Sequence, residues 1–263
     1  MGFRNGKTGF PAGLLETRSV IRKGEYALLT PEGMVNNTIP GFENCDVTIL
    51  ASPKMGATFV DYLVDIKPNG GVQDFGGGGV ETFAYVINGK VSATIDRKAS
   101  TLENGGYVYC PPSKSLNLKN SAEADANIFL YKRRYIPAKG YAEPSSVIGN
   151  VGSLQAIDYE GMENLKFYNF LPSASDVSFD MNMHILSFEH GASHGYIETH
   201  VQEHGAYILS GRGMYNLGAD WMPVQKGDYV FMGSYTRQAA YAVGNDAPFA
   251  YIYSKDCNRD EII

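Results

Sequence analysis

Cysteine is scarce in the 263 residues: Cys45, Cys110 and Cys257 stand far apart, form no C-x-x-C pair and leave an odd number. That argues against a disulfide framework and suits a reducing compartment, where thiols pack as small apolar groups. No run of about 18 apolar residues occurs, so no segment is expected to cross a bilayer as a helix. The N-terminus, M-G-F-R-N-G-K-T-G-F, lacks the apolar stretch of a secretory signal, and Gly6 stands where myristoylation needs Ser or Thr. A cytoplasmic location is the resulting expectation. A net charge of −6 argues against nucleic acid as the main partner. Long Ala/Glu/Lys/Leu patterns are missing as well, which leaves little room for helix.

What the sequence does contain is glycine (30) and tyrosine (18), with short aromatic and β-branched runs separated by Gly, Pro and Asn. Such a chain reads as an all-β sandwich or barrel. It also repeats. Ala84-Tyr85-Val86-Ile87-Asn88-Gly89-Lys90 matches Ala206-Tyr207-Ile208-Leu209-Ser210-Gly211-Arg212 at an offset of 122 (206 − 84). Gly105-Gly106-Tyr107-Val108-Tyr109 matches Gly227-Asp228-Tyr229-Val230-Phe231 at the same offset, and Phe129-Leu130-Tyr131 falls on Tyr251-Ile252-Tyr253. Three blocks in one register indicate a tandem duplication without a gap. The expected organisation is an N-terminal arm over 1–45, wrapping a neighbouring surface such as another subunit, and a first antiparallel barrel over 46–140. A linker over 141–165 and a second barrel over 166–263 follow.

The chemistry concentrates in Gly191 to Gly211, G-A-S-H-G-Y-I-E-T-H-V-Q-E-H-G-A-Y-I-L-S-G. Three of the five histidines, His194, His200 and His204, lie within it. On a strand, Glu198, His200 and His204 occupy i, i+2 and i+6 and face one side. One carboxylate and two imidazoles on a face are what a divalent metal of borderline hardness requires. Gln238, in the following G-D-Y-V-F-M-G-S-Y-T-R-Q segment, supplies an amide oxygen to close the shell. On a helix His200 and His204 would be an ordinary surface pair, but glycines at both ends argue against one. At the 122 offset, Glu198, His200, His204 and Gln238 correspond to Gly76, Gly78, Thr82 and Leu116, so the first copy lacks every ligand. Its Gly76–Gly79 run lacks a following Gly-Lys-Ser/Thr and is expected to be a loop rather than a phosphate cradle. Lys255, after the last strand, becomes a partner for a substrate carboxylate if it lies near a metal.

These residues resemble a cupin, and specifically a bicupin. The first cupin motif appears with histidine and glutamate exchanged, as Glu198-x-His200-x3-His204-x6-Gly211. The second keeps Gly227, with Gly233, Tyr235 and Gln238 at the usual proline, glycine and histidine. With Y-C-P-P, Y-S-K-D-C-N-R and I-P-G-F-E-N-C-D, nearly the whole chain is similar to the (S)-ureidoglycine aminohydrolase family of purine catabolism. That resemblance implies Mn²⁺ held by Glu198, His200, His204 and Gln238, with Glu198 and Lys255 in the catalytic step. It also implies Tyr215, Gln238, Tyr251 and Lys255 as substrate contacts. Expected with it are a small-molecule substrate, a homo-oligomer, and no nucleic acid or membrane partner. Cupin folds host many reactions, so a metal-dependent oxygenase or isomerase acting on a small anion stays open, and so does a storage or sensor bicupin.

Overall fold

The structure, a computed structural model, describes residues 18–256 and 259–260. Cys257 lies outside them, as do residues 1–17 of the expected arm. In chain order the first strands are β1 (Val20–Arg22), β2 (Tyr26–Leu29), β3 (Asn36–Asn37), β4 (Phe42–Ala51), β5 (Phe59–Gly76) and β6 (Val80–Asn88). Next come β7 (Val91–Ile95), β8 (Lys98–Leu102), β9 (Gly106–Cys110), β10 (Ser115–Lys119) and β11 (Ala126–Arg134). Then follow β12 (Val147–Asn150), β13 (Ile157–Tyr159), β14 (Met162–Asn169), β15 (Met181–Phe188) and β16 (His204–Ser210). The series closes with β17 (Arg212–Leu217), β18 (Asp220–Gln225), β19 (Tyr229–Met232), β20 (Gln238–Val243) and β21 (Phe249–Asp256). Two single-turn 3-10 segments, Pro31–Gly33 and Val151–Ser153, are the only helical residues among those described.

The chain forms two compact units. The N-terminal one comprises Met34–Pro53 and Thr58–Ser153 of the described residues. Its strands run β12-β9-β6-β11-β5-β4-β3, and the far half of β5 pairs onward to β10-β7-β8. The C-terminal unit repeats this as β2-β19-β16-β21-β15-β14-β13, with β1 outside β2 and a separate sheet β18-β17-β20. The pairs are antiparallel throughout, for example β5 with β11 and β15 with β21. The fold is all-β, a bicupin of two tandem barrels. Burial along β7 alternates buried and half-buried, as expected for a strand with one face on a core. Val91, Ala93 and Ile95 from its inner face join Val64, Ile66, Ile128 and Leu130 in the N-terminal core. Each such valine, leucine or isoleucine withdrawn from water stabilises the unit by roughly 1.5–3 kcal/mol. Gly89 and Gly211, which match in the repeat, both have positive φ, at 90° and 68°. A Cβ there would meet Ala126 Cα at 2.8 Å or the Pro248 carbonyl at 2.5 Å, so only glycine closes these hairpins.

The described part of the 1–45 stretch divides between the units. Residues 18–33 belong to the C-terminal unit, where β2 pairs with β19. Arg18 donates two hydrogen bonds to the buried Asp228 carboxylate, at 2.5 and 2.9 Å, and fixes the entry to β1. The 141–165 stretch contains β12 and β13, and β12 pairs with β9 in the N-terminal unit. β2 and β12 themselves overlap at the repeat offset, so the leading strand of each copy is built into the other copy's unit.

One expectation needs correction. The repeat is not free of gaps. Ala84 pairs with Leu130, whereas Ala206 pairs with Tyr253, so the last strand is displaced by one residue. The extra residue sits in the turn before β21. Because strand faces alternate, a one-residue shift decides which side chains point inward. Ile128 and Leu130 enter the N-terminal core, and Tyr251 and Tyr253 take their places in the C-terminal one.

Candidate active site

In the C-terminal unit β16 begins at His204, β20 begins at Gln238, β17 carries Tyr215, and β21 carries Tyr251, Tyr253 and Lys255. Glu198, His200 and His204 do not share one strand, as their spacing led one to expect. Where the first copy has the unbroken 18-residue β5, the second has β15 followed by an irregular run from 189 to 203. Two isolated bridges remain in that run, Ser193 to Tyr241 and Glu198 to Gln238. The chain then turns, pinned by the Tyr235 amide donating to the His200 carbonyl at 2.7 Å. Convergence therefore comes from pairing and a turn. The Glu198 and Gln238 backbones exchange hydrogen bonds of 2.9 Å each way.

His200 and His204 meet edge to face, with ring centroids 5.0 Å apart. His204 Nδ1 lies 2.7 Å from the Ser254 carbonyl, and His200 Nδ1 lies 3.1 Å from that of Gln202. A carbonyl only accepts, so both Nδ1 atoms carry the proton and both Nε2 atoms present lone pairs. Those Nε2 atoms are 3.3 Å apart, and Gln238 Nε2 donates to that of His200 at 2.7 Å. Burial holds both imidazoles neutral by lowering their pKa values, His204 well below the usual range. Neighbouring ligands at right angles on a divalent ion, each at about 2.1 Å, stand about 3 Å apart. The two imidazoles fit such an ion, the Gln238 amide would join them by turning over to present its oxygen in place of its nitrogen, and carbonyl partners on the far ring nitrogens are the usual support for metal-binding histidines. Among the described residues, no three His, Cys, Asp or Glu side chains form a group that could hold a metal. Glu198 is thus brought alongside by its backbone, and its carboxylate is not closed onto the imidazoles.

Burial raises the Glu198 carboxyl, and the charge of Lys255 opposes that rise. Tyr159, Tyr215 and Tyr253 are raised by burial and then further by the charge of Glu198. The Glu198 charge thus acts on a wall of buried phenols. Within that wall Tyr215 and Tyr251, both buried, bring their hydroxyls to 3.4 Å. Lys255 acts by its charge on Glu198, His200 and His204. Every residue expected at the site lies in this one region of the C-terminal unit.

No family model matches the chain. It is similar to (S)-ureidoglycine aminohydrolase of Escherichia coli (strain K12), with 58% identity over 261 residues, 99% of each chain. The chain belongs to the (S)-ureidoglycine aminohydrolase family. It also superposes on the crystal structure of protein Ylba from E. coli, with a TM-score of 0.86, 56% identity, and coverage of 97% of this chain and 100% of that one. Oxalate decarboxylase of Bacillus subtilis, at 12% identity and a TM-score of 0.68 over 98% of this chain and 88% of that one, shares the fold alone.

Within this member of the (S)-ureidoglycine aminohydrolase family the structure adds residues that sequence reasoning passed over. Tyr253 lies between the rings of His204 and His184, at 5.2 and 5.1 Å. Alternation along Tyr251-Ile252-Tyr253-Ser254-Lys255 was the available signal for it. His184 is buried, its Nδ1 has no hydrogen-bond partner, and burial lowers its pKa to about 3. The carbonyl of Ser254 carries no signal, since every residue has one. His194, counted in the histidine cluster, serves the frame instead. Its Nδ1 accepts the Ala240 amide at 3.0 Å, and its ring packs against Phe188 at 5.1 Å.

Proposed function

We propose that this chain hydrolyses (S)-ureidoglycine to (S)-ureidoglycolate and ammonia, with Mn²⁺ held by Glu198, His200, His204 and Gln238. The observation that carries the metal is the pair of Nε2 lone pairs 3.3 Å apart, each ring locked by a carbonyl. Two imidazoles, an amide oxygen and one carboxylate suit Mn²⁺. A divalent ion there supplies positive charge that anchors the substrate and polarises the reacting groups. With Glu198 the net charge is near +1, which favours an anionic ligand.

The protein's own groups do the rest. Lys255 binds the substrate carboxylate, and the Tyr215 and Tyr251 hydroxyls donate hydrogen bonds while their rings exclude water. Glu198, a carboxylate whose proton affinity is raised by burial, accepts a proton from the attacking water. As the new C–O bond forms and the C–N bond breaks, that proton passes to the departing nitrogen, which leaves as ammonia.

The free cysteines Cys45 and Cys110, with thiols pushed up to about 11 and about 12 by burial, suit a reducing cytoplasm. No helix among the described residues is long and apolar enough to cross a membrane. Self-association is supported by exposed isoleucines on the outer strands, Ile21 on β1, Ile148 on β12 and Ile157 on β13. The test is ammonia release from freshly generated (S)-ureidoglycine without oxygen. A strict oxygen requirement would move the assignment to a metal-dependent oxygenase.

A further inference from the structure

The N-terminal unit keeps the lysine of the site while losing what surrounds it. Leu130 opposite Ala84 corresponds to Tyr253 opposite Ala206. Two residues further on stand Lys132 in one copy and Lys255 in the other. Thr82 takes the place of His204 and Leu116 that of Gln238. Phe75 pairs with Leu116 as Glu198 pairs with Gln238, so an aromatic ring stands where the carboxylate was.

The Lys132 ammonium lies 5.3 Å from the ring centroid of Tyr62 and 5.4 Å from that of Phe75. Phe42, Tyr62 and Phe75 touch one another, with centroids 5.8 to 6.0 Å apart. Among the described residues no carboxylate pairs with Lys132. The aromatic faces position its charge without neutralising it, and its N–H donors stay available. Beside the stack opens a cavity of about 250 Å³, bordered by Phe42, Gln73, Asp74, Phe75, Gly76 and Lys132. Asp74 is exposed on this rim, with φ at 47°, and Asn117 Oδ1 accepts its amide at 3.1 Å. Its carboxylate accepts N–H groups and repels a bare anion. The cavity is smaller than the roughly 300–1,000 Å³ typical of drug-sized ligands.

We propose that the N-terminal unit is a second, metal-independent binding site for a small acid carrying amino or ureido N–H groups beside its carboxylate. Lys132 takes the carboxylate and Asp74 the N–H groups. The site uses only N-terminal residues and stands apart from the metal reading of the C-terminal unit.

The test uses full-length, chelator-stripped Lys255→Met protein, which leaves Lys132 as the one lysine of the matched pair. N-carbamoylglycine is titrated calorimetrically. The expected result is one saturable site per chain, weakened about ten-fold or more by adding Lys132→Met and largely kept by Lys132→Arg. Adding Asp74→Ala weakens N-carbamoylglycine and strengthens acetate. Unchanged melting of the Lys132→Met protein confirms that the fold survives, and Lys132→Gln serves in its place if it does not. Absence of saturable binding at millimolar probe overturns the proposal. So does binding that persists unchanged without the Lys132 charge.

Discussion

Nε2 of His200 and Nε2 of His204 face each other across 3.3 Å, while the far nitrogen of each ring is tied to a backbone carbonyl. Gln238 Nε2 donates to the His200 lone pair at 2.7 Å, while the buried His204 lone pair beside it has no donor among the described residues and burial disfavours a proton there. The frame is therefore set for a cation. Replacing either histidine by alanine should lower metal affinity by more than about a hundredfold, since loss of even an outer partner costs 10–100-fold. Elemental analysis after dialysis measures it, and stoichiometric metal in both variants would contradict the assignment.

Lys255→Ala should lower kcat/KM about ten- to a hundredfold with metal content intact, because a charge-assisted contact to a desolvated carboxylate is worth roughly 1.5–3 kcal/mol. Lys255→Arg should restore only part, its planar fork being larger. Steady-state kinetics at full Mn²⁺ occupancy decide; parent-like rates would direct attention to Arg212 or Arg259.

Gln238→Glu should retain the metal and raise KM for the anionic substrate, because a second carboxylate cancels the remaining positive charge. Unchanged KM in a metal-loaded variant would remove the electrostatic part of the account.

Much of this was legible in the sequence. Glycines at 89 and 211, and the blocks around them, marked the duplication because a hairpin that admits no Cβ constrains both copies alike. The ligand identities were legible too, while their placement was not. Alternation along a strand predicted that Glu198, His200 and His204 share a face, but that strand is broken, and pairing with Gln238 does the work. Pairing is non-local, so nothing near Glu198 announces its partner. For the same reason β2 gave no sign of joining β19. The extra residue before β21 also went unseen, and with it the match of Lys132 to Lys255.

Stability should fall with acid. Burial lowers His184 to about 3 and His194 to about 4, so the folded chain binds fewer protons than the unfolded one below about pH 6.5. Stability is therefore full above that pH and declines toward pH 4, with about two protons of slope from these rings and a further contribution from His204 and His200, which burial also lowers. Thermal melting of chelator-stripped protein between pH 7 and pH 5 measures this, and His184→Leu should remove about one proton from the slope. A pH-independent melting temperature across that range would show that neither ring stays neutral.

The central claim is that a metal at His200, His204, Gln238 and Glu198 enables release of ammonia from (S)-ureidoglycine. The most direct measurement is ammonia release by chelator-stripped protein as Mn²⁺ is added back. The account predicts negligible release from the stripped protein and full recovery at one equivalent of Mn²⁺ per chain, whereas an undiminished rate in the stripped protein would contradict it.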